Sequence, residues 1–463
     1  MRFNRRFVLK SMGLGAAGSF MLQPFAMPRL NADPKQKRPK RYYVFAYFSG
    51  GWDITQSLDP RDPGKFSDSR SRETKIQLAY DYLPDSLPDG TKVERGVIQP
   101  KGSNITFGPA MKSFADAGHH DVSCVVRGMA MDTVTHEVGR RYMITGMMPN
   151  GLNAKGSSLP TRIVAQQGDI TAVPNLVVRV ESYNQDLPAY ASGLKVSSIS
   201  DLLQTLRDGP QAPDKELRAL LQQYRATREN CDPVRLNDAD LLNLIQSAQT
   251  KSRFLVESGL SNMFNFTNRN DPEMAKIKSR YGILSLSSPQ AQAAMAFQAI
   301  RNNVAQCTTI ELASGLDTHG EEWADDHIER LHLGFKALTQ LVTDLKNTPH
   351  PEAPGEKLID HTTILCFSEF ARTAMLNNRD GRDHSICNAS LLIGAGIPHN
   401  AVVGASSDRG MGPQAIDPIT GLAASSGGTI LTPSLVGASI MQVAGYNTDE
   451  LRVDGLPCLM KKS

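Results

Sequence analysis

Residues 41–48, RYYVFAYF, are apolar or aromatic at every position after Arg41, and the run stops at Ser49-Gly50-Gly51. A strand with one wet face alternates polar and apolar side chains, so a run that is apolar at every position needs cover on both faces of its sheet. Comparable runs predict further strands at 122–126, 175–180, 308–313, 362–367 and 389–393. Between the runs at 308–313 and 362–367, residues 323–345 carry Ile328, Leu331, Phe335, Leu338, Leu341, Val342 and Leu345 at helical spacing. Strand, helix, strand in that order specifies an α/β fold, a mainly parallel sheet sandwiched by helices.

Residues 200–304 read differently. Helix-favouring stretches at 215–225, 238–260 and 289–304 dominate there, which predicts a helical insertion or cap, or else crossover helices covering one sheet face. Residues 59–101 are rich in Pro, Asp, Ser and Gly and predict a long surface loop beside the first strand end.

The chemistry gathers where the apolar runs stop. Asp53 follows the first run, Asp317 and His319 the fourth and Glu369 the fifth, while Asp383 and His384 precede the sixth. Carboxylates and imidazoles converging from separate strand ends are the donors a divalent metal such as zinc, magnesium, manganese or calcium needs. Each cluster also has a plainer explanation. Asp317 and Thr318 suit a helix cap, Glu369 and Arg372 an ion pair, and Asp383 can merely orient the His384 ring. Past the second run, His136 and Arg140 lie four residues apart, so a helix there puts a base or ligand beside a guanidinium. Arg140 and Arg372 are the candidates for holding an anion, because a guanidinium fork matches phosphate or sulfate oxygens.

The amino terminus, MRFNRRFVLK, pairs Arg5 with Arg6 and has no acidic residue before Asp33. With the weakly apolar stretch that follows, residues 1–32 resemble a twin-arginine export signal, departing from the usual pattern at Asn4 and Val8. The expected partner is the twin-arginine export machinery, and the expected location periplasmic or otherwise exported. Ala26 and Ala32 offer cleavage points without a second small residue, which leaves an uncleaved anchor open, and no other membrane-spanning segment is expected. Loss of residues 1–32 removes Arg2, Arg5, Arg6, Lys10 and Arg29, leaving 45 basic against 47 acidic residues, so nothing favours nucleic acid. The six cysteines contain no C-x-x-C pair, which argues against a structural zinc site; Cys124 and Cys366 read as core, and Cys231 and Cys458 as the ones to test for a bridge.

Taken together, the motifs S-G-G-W-D, L-D-T-H-G, S-E-F-A-R-T and R-D-H resemble the bacterial family called Domain of Unknown Function 1501, whose usual pattern has a glycine where this chain has Ala371. That family is in turn similar to the alkaline phosphatase and sulfatase superfamily. The resemblance implies one alkaline-phosphatase-like domain over 40–463, with the insertion at about 200–304 inside it. It implies metal-binding roles for Asp53, Asp317, His319, Glu369, Asp383 and His384, with Phe370 standing where a ligand histidine is usual. Arg140 keeps an arginine of the superfamily, while His136 stands where its nucleophile would be. The function so implied is an exported metal-dependent hydrolase of a phosphate or sulfate ester, with His136 as base or nucleophile. The alternative is a non-catalytic protein that binds a glycan or another envelope component on the same fold.

Overall fold

A computed structural model describes residues 40–207, 214, 216–217, 219–221, 223–224, 255–256 and 258–461. The expected signal at 1–32 and most of the helical stretch at 238–260 lie outside these residues, as does Cys231. Among the described residues no helix is long and apolar enough to cross a membrane.

The first run forms β1 (Tyr42–Phe48), and every residue of it is buried. The physical reason is alternation: Tyr42, Val44, Ala46 and Phe48 enter one hydrophobic core, while Tyr43, Phe45 and Tyr47 enter a second on the opposite face. The other strands that matter are β2 (Ser123–Ala130), β3 (Asn175–Val178), β4 (Leu194–Val196), β5 (Cys307–Ala313) and β6 (Thr362–Phe367), then a short pair, β7 (Ala371–Arg372) and β8 (His384–Ser385), and finally β9 (Cys387–Gly394) and β10 (Ala401–Gly404). Eight of them make one sheet in the order β10-β2-β9-β6-β1-β5-β3-β4. β1 runs parallel to β5 and β6, whereas β9 is antiparallel to both β2 and β6. The short edge strands β4 and β10 were not anticipated, and neither was the reversal of β9. A run of buried apolar residues looks the same in either direction.

The first core is closed by the helices Pro289–Arg301 and Ile328–Asn347, the second by His136–Thr145, Leu159–Gln167 and Pro433–Val443. Pro289–Arg301 covers one sheet face, the second of the two readings for 200–304, with Gln292 accepting from the Glu311 backbone of β5 at 2.8 Å. The segment at 59–101 is likewise no loose surface loop. Ile76, Leu78, Tyr80, Leu83 and Leu87 are buried in the first core, and the Tyr80 hydroxyl donates to the Thr55 carbonyl at 2.7 Å. The five described cysteines are all buried and free, Cys124, Cys366 and Cys458 among them.

Topology puts the chemistry on one edge. Since β2 and β6 are both antiparallel to β9, the carboxyl ends of β1, β2, β5 and β6 and the amino end of β9 all open on the same side. Asp53 is the exception among the candidate residues. It is fully buried beneath that edge and forms an ion pair with Arg382 at 2.9 Å, while its other oxygen accepts from the Thr55 backbone and hydroxyl at 2.8 and 2.7 Å. Trp323 Nε1 donates to it at 2.7 Å, and its own backbone N–H donates to His327 Nε2 at 3.0 Å. A π-helical turn, Trp323–His327, opens the long helix and turns both of these side chains inward.

Burial pushes the Asp53 carboxyl up, but the Arg382 charge, with hydrogen bonds from Thr55 and Trp323, outweighs it and holds the acid below its ordinary value. Its contribution to stability is therefore fully present above the ordinary carboxylate value and is lost only as pH falls through the lower native one. Replacing Asp53 with Ala leaves the Arg382 guanidinium buried and unpaired. A loss of about 3–5 kcal/mol in urea unfolding at pH 7 is expected, the usual cost of removing one partner of a buried pair.

Candidate metal centre

Three glycine contacts assemble the edge. Gly50, just past β1, has φ +114°, and a Cβ there would lie 2.6 Å from the backbone nitrogens of Leu316 and Asp317, so only glycine lets the β1 and β5 loops close on each other. Gly139, on the His136–Thr145 helix, sits against the β6 loop so tightly that a Cβ would approach the Glu369 carbonyl to 2.2 Å. Gly381 packs in the same way on the backbone of His319 and Gly320. The β7–β8 pair then sets Arg372 opposite His384 in register.

On this frame His136, Asp317, His319 and His384 come together. His319 Nε2 lies 3.0 Å from His384 Nε2 and 3.0 Å from Asp317 Oδ1, and His384 Nε2 lies 3.1 Å from the same oxygen. His136 Nε2 stands 3.3 Å from Asp317 Oδ2, beyond good hydrogen-bond geometry, and is a buried atom without a hydrogen-bond partner. Donor atoms of His136, Asp317 and His384 all fall within 4.8 Å of one another.

The opposite ring nitrogens decide what these atoms are. His136 Nδ1 meets Glu369 Oε1 at 2.7 Å, His319 Nδ1 meets Asp383 Oδ1 at 2.9 Å, and His384 Nδ1 meets the Val134 carbonyl at 2.7 Å. A carbonyl oxygen and two ionised carboxylates only accept, so each Nδ1 carries the hydrogen, and a ring in its neutral form turns a bare Nε2 lone pair inward. Two such lone pairs 3.0 Å apart, beside a carboxylate oxygen, repel unless a proton or a cation lies among them. Donors around one tetrahedral zinc, at about 2.0–2.1 Å from the ion, are separated by about 3.3 Å. The donor set fits a divalent ion in kind and in spacing, with the outer partners that ligating histidines usually have.

Glu369 and Asp383, predicted as ligands, stand behind the rings. Both Glu369 oxygens are taken: Oε1 by His136 and the Gly50 backbone at 2.9 Å, Oε2 by the hydroxyls of Tyr47 and Ser368, each at 3.0 Å. Asp383 also accepts from Asn377 at 3.0 Å, and the ring it orients is that of His319, where the sequence pointed to His384. Asp53 is not brought to the centre.

The arginines differ from expectation too. Arg372 is buried and pairs with Asp317 Oδ1 at 2.6 Å, where the spacing suggested Glu369. Its remaining N–H groups go to the carbonyls of Gly50, Gly51 and Arg382 and toward His319 Nε2 at 3.4 Å, which uses the whole fork. Arg140 is likewise committed, binding both oxygens of Glu181 at 3.0 and 3.2 Å. Arg372 has no N–H left for an anion, and Arg140 turns its two-pronged edge to Glu181.

Burial opposes ionisation of Asp317, yet the hydrogen bond and the charge of Arg372 hold its carboxyl well below the usual range. Glu369 is held low against heavier burial, chiefly by its bond from His136, and that same bond raises the His136 ring above its ordinary value. Asp383 is lowered by bonds from His319 and Asn377. Four outer contributors had no assigned role in the sequence. Tyr47 lay in the β1 run and Ser368 and Arg382 inside recognised motifs, so their residue types were visible. The Val134 carbonyl leaves no side-chain signal at all.

The family model described as Protein of unknown function (DUF1501) matches residues 40–417. The chain belongs to that family. No curated protein matches this DUF1501 chain. Two solved structures, titled "Crystal structure of Ps i-CgsB" and "Crystal structure of Ps i-CgsB in complex with k-i-k-neocarrahexaose", resemble it at 8% identity and TM-score 0.36, covering 91% of this chain and 76% of theirs. The L-D-T-H-G, S-E-F-A-R-T and R-D-H motifs of the DUF1501 chain supply Asp317, His319, Glu369, Arg372, Asp383 and His384, and all of them fall within the matched span.

The glycine contact at 139 is open to test. In Gly139→Ala the new methyl meets a backbone carbonyl that cannot swing away, so the helix must lift and the His136–Glu369 bond lengthen. A stability loss of about 1–3 kcal/mol is expected. The downfield His136 Nδ1 proton resonance should also weaken; an unchanged resonance would mean that the helix position does not set the ring.

Proposed function

We propose that this DUF1501 protein is an exported metal-dependent hydrolase acting on a phosphate or sulfate ester. The observation that carries the reading is the convergence of three bare Nε2 atoms on the ionised Asp317 carboxylate, with separations of 3.0–3.3 Å. Asp317, His319 and His384 would hold the ion, for their three donor atoms form a nearly equilateral triangle. A divalent ion bound there supplies polarisation of the ester oxygen and lowers the pKa of water.

The chain's own residues do the rest. Asp383 and the Val134 carbonyl fix the His319 and His384 rings with Nε2 turned inward. Arg372 keeps Asp317 ionised and aimed. His136 takes up the proton released from water at its unpartnered Nε2, and Glu369 behind it stabilises the imidazolium that results. Acting as base rather than nucleophile, His136 needs no covalent intermediate. The twin-arginine resemblance of residues 1–32 supports the exported part of this reading.

A second reading, a non-catalytic binder of a glycan or envelope component, has one observation in its favour: both predicted anion-holding arginines are used internally.

Elemental analysis of the purified protein separates the two readings. About one divalent ion per chain is expected, lost in Asp317→Ala and His384→Ala and retained in Asp53→Asn. His136→Gln should keep the ion and lose about 100-fold or more in kcat, in line with removal of a general base. A chain that takes up no zinc, manganese, magnesium or calcium would sink the hydrolase reading. Stoichiometric metal without turnover on phosphate and sulfate esters would favour the binder.

A further inference from the structure

We infer that Arg379 is the residue that receives the anionic oxygens of the ester, taking at the mouth of the centre the part that Arg140 and Arg372 were expected to play. The inference rests on the hydrolase reading above and adds the anion-holding group that reading lacks.

The turn between the short strands β7 and β8 positions it. Asn377 anchors that turn to the centre: its side-chain amide donates to the His319 carbonyl at 3.1 Å and to Asp383 Oδ1 at 3.0 Å, the same oxygen that orients the His319 ring. The Asn377 side-chain oxygen accepts from the backbone of Arg379 at 2.9 Å and of Gly381 at 3.2 Å. Gly381 is the second anchor, packed so closely on the backbone of His319 and Gly320 that a Cβ would not fit. Arg379 stands between the two anchors. Its backbone is therefore fixed relative to His319, a proposed ligand of the ion, while the residue itself is exposed to solvent.

The Arg379 guanidinium is uncommitted. Among the described residues no carboxylate closes an ion pair on it and no carbonyl takes its N–H groups, whereas Arg372 is spent on Asp317 and its neighbours, and Arg140 and Arg141 share Glu181. Its charge nevertheless reaches Asp383, adding to the bonds from His319 and Asn377 that hold that carboxyl low. The centre opens on this side: the side chains of Asp317, His319 and Asp383 are 46%, 31% and 53% exposed, while Glu369 and Arg372 are buried. An ester reaching the ion from solvent thus meets two carboxylates, Asp317 and Asp383, which repel its anionic oxygens. A guanidinium beside Asp383 offsets that repulsion, and its planar fork matches a pair of phosphate or sulfate oxygens.

The test uses the metal-loaded full chain and whichever of 4-nitrophenyl phosphate, methyl 4-nitrophenyl phosphate and 4-nitrophenyl sulfate it turns over, with inorganic phosphate as a competing anion. Arg379→Gln is expected to raise KM and the inhibition constant for phosphate together, each by about ten-fold or more, the effect of losing a charge-assisted contact. kcat should change far less, and the bound ion should be retained. Arg379→Lys, which keeps the charge without the fork, should fall between the two. A purely structural part in the turn would instead lower kcat and metal content. Arg379→Gln with KM and phosphate inhibition unchanged, or with the ion lost, overturns the inference alone. Failure of the unaltered chain to turn over any of the three esters overturns the hydrolase reading and the inference with it.

Discussion

The buried Arg372 guanidinium is the interaction on which the site depends. One planar fork ties the glycine turn after β1, the Asp317 loop after β5 and the chain before β8 to the strand that carries it. Taking such a charge out of water costs several kcal/mol, and the cost is met only when every donor finds an acceptor. That requirement makes the arrangement all-or-none. A loop that drifts away strands part of the fork, so the three loops hold one another in place.

A second buried pair lies beneath the first. Asp53 and Arg382 are both fully buried, the Arg382 guanidinium lies 4.5 Å from the Trp323 ring centre, and its backbone carbonyl receives one of the Arg372 hydrogen bonds. Asp383 and His384 follow Arg382 directly in the chain. Asp53 therefore acts on the centre from a distance by anchoring the segment that brings two of its residues. His327 belongs to the same support: burial holds its pKa down to about 3, and as a neutral ring it links the Asp53 backbone to the Thr318 hydroxyl.

Much of the site was legible as residue types and far less as roles. Asp317, His319 and His384 come from three motifs at strand ends, where convergence is a general property of parallel sheets. His136 was recognised as a base beside a guanidinium, but its alignment with Glu369 depends on a helix seated against the Glu369 carbonyl through Gly139. The pairings went differently because spacing along the chain is a poor guide to partners across an edge. Arg372 crosses to Asp317 rather than back to Glu369, and Asp383 orients His319 rather than its neighbour His384.

The chain's own order of residues determined that β1 lies in the middle of a covered sheet, since a run without a polar face has nowhere else to go, and that acids and imidazoles sit at the ends of such strands. Which of those groups face inward, which stand behind the rings and which are sealed underneath was decided by tertiary structure. The reason is physical: a carboxylate becomes a ligand, an orienting group or half of a buried ion pair according to the partners left for it. Those partners arrive from loops up to hundreds of residues away, once glycine contacts, a reversed β9 and two guanidinium forks have set the distances.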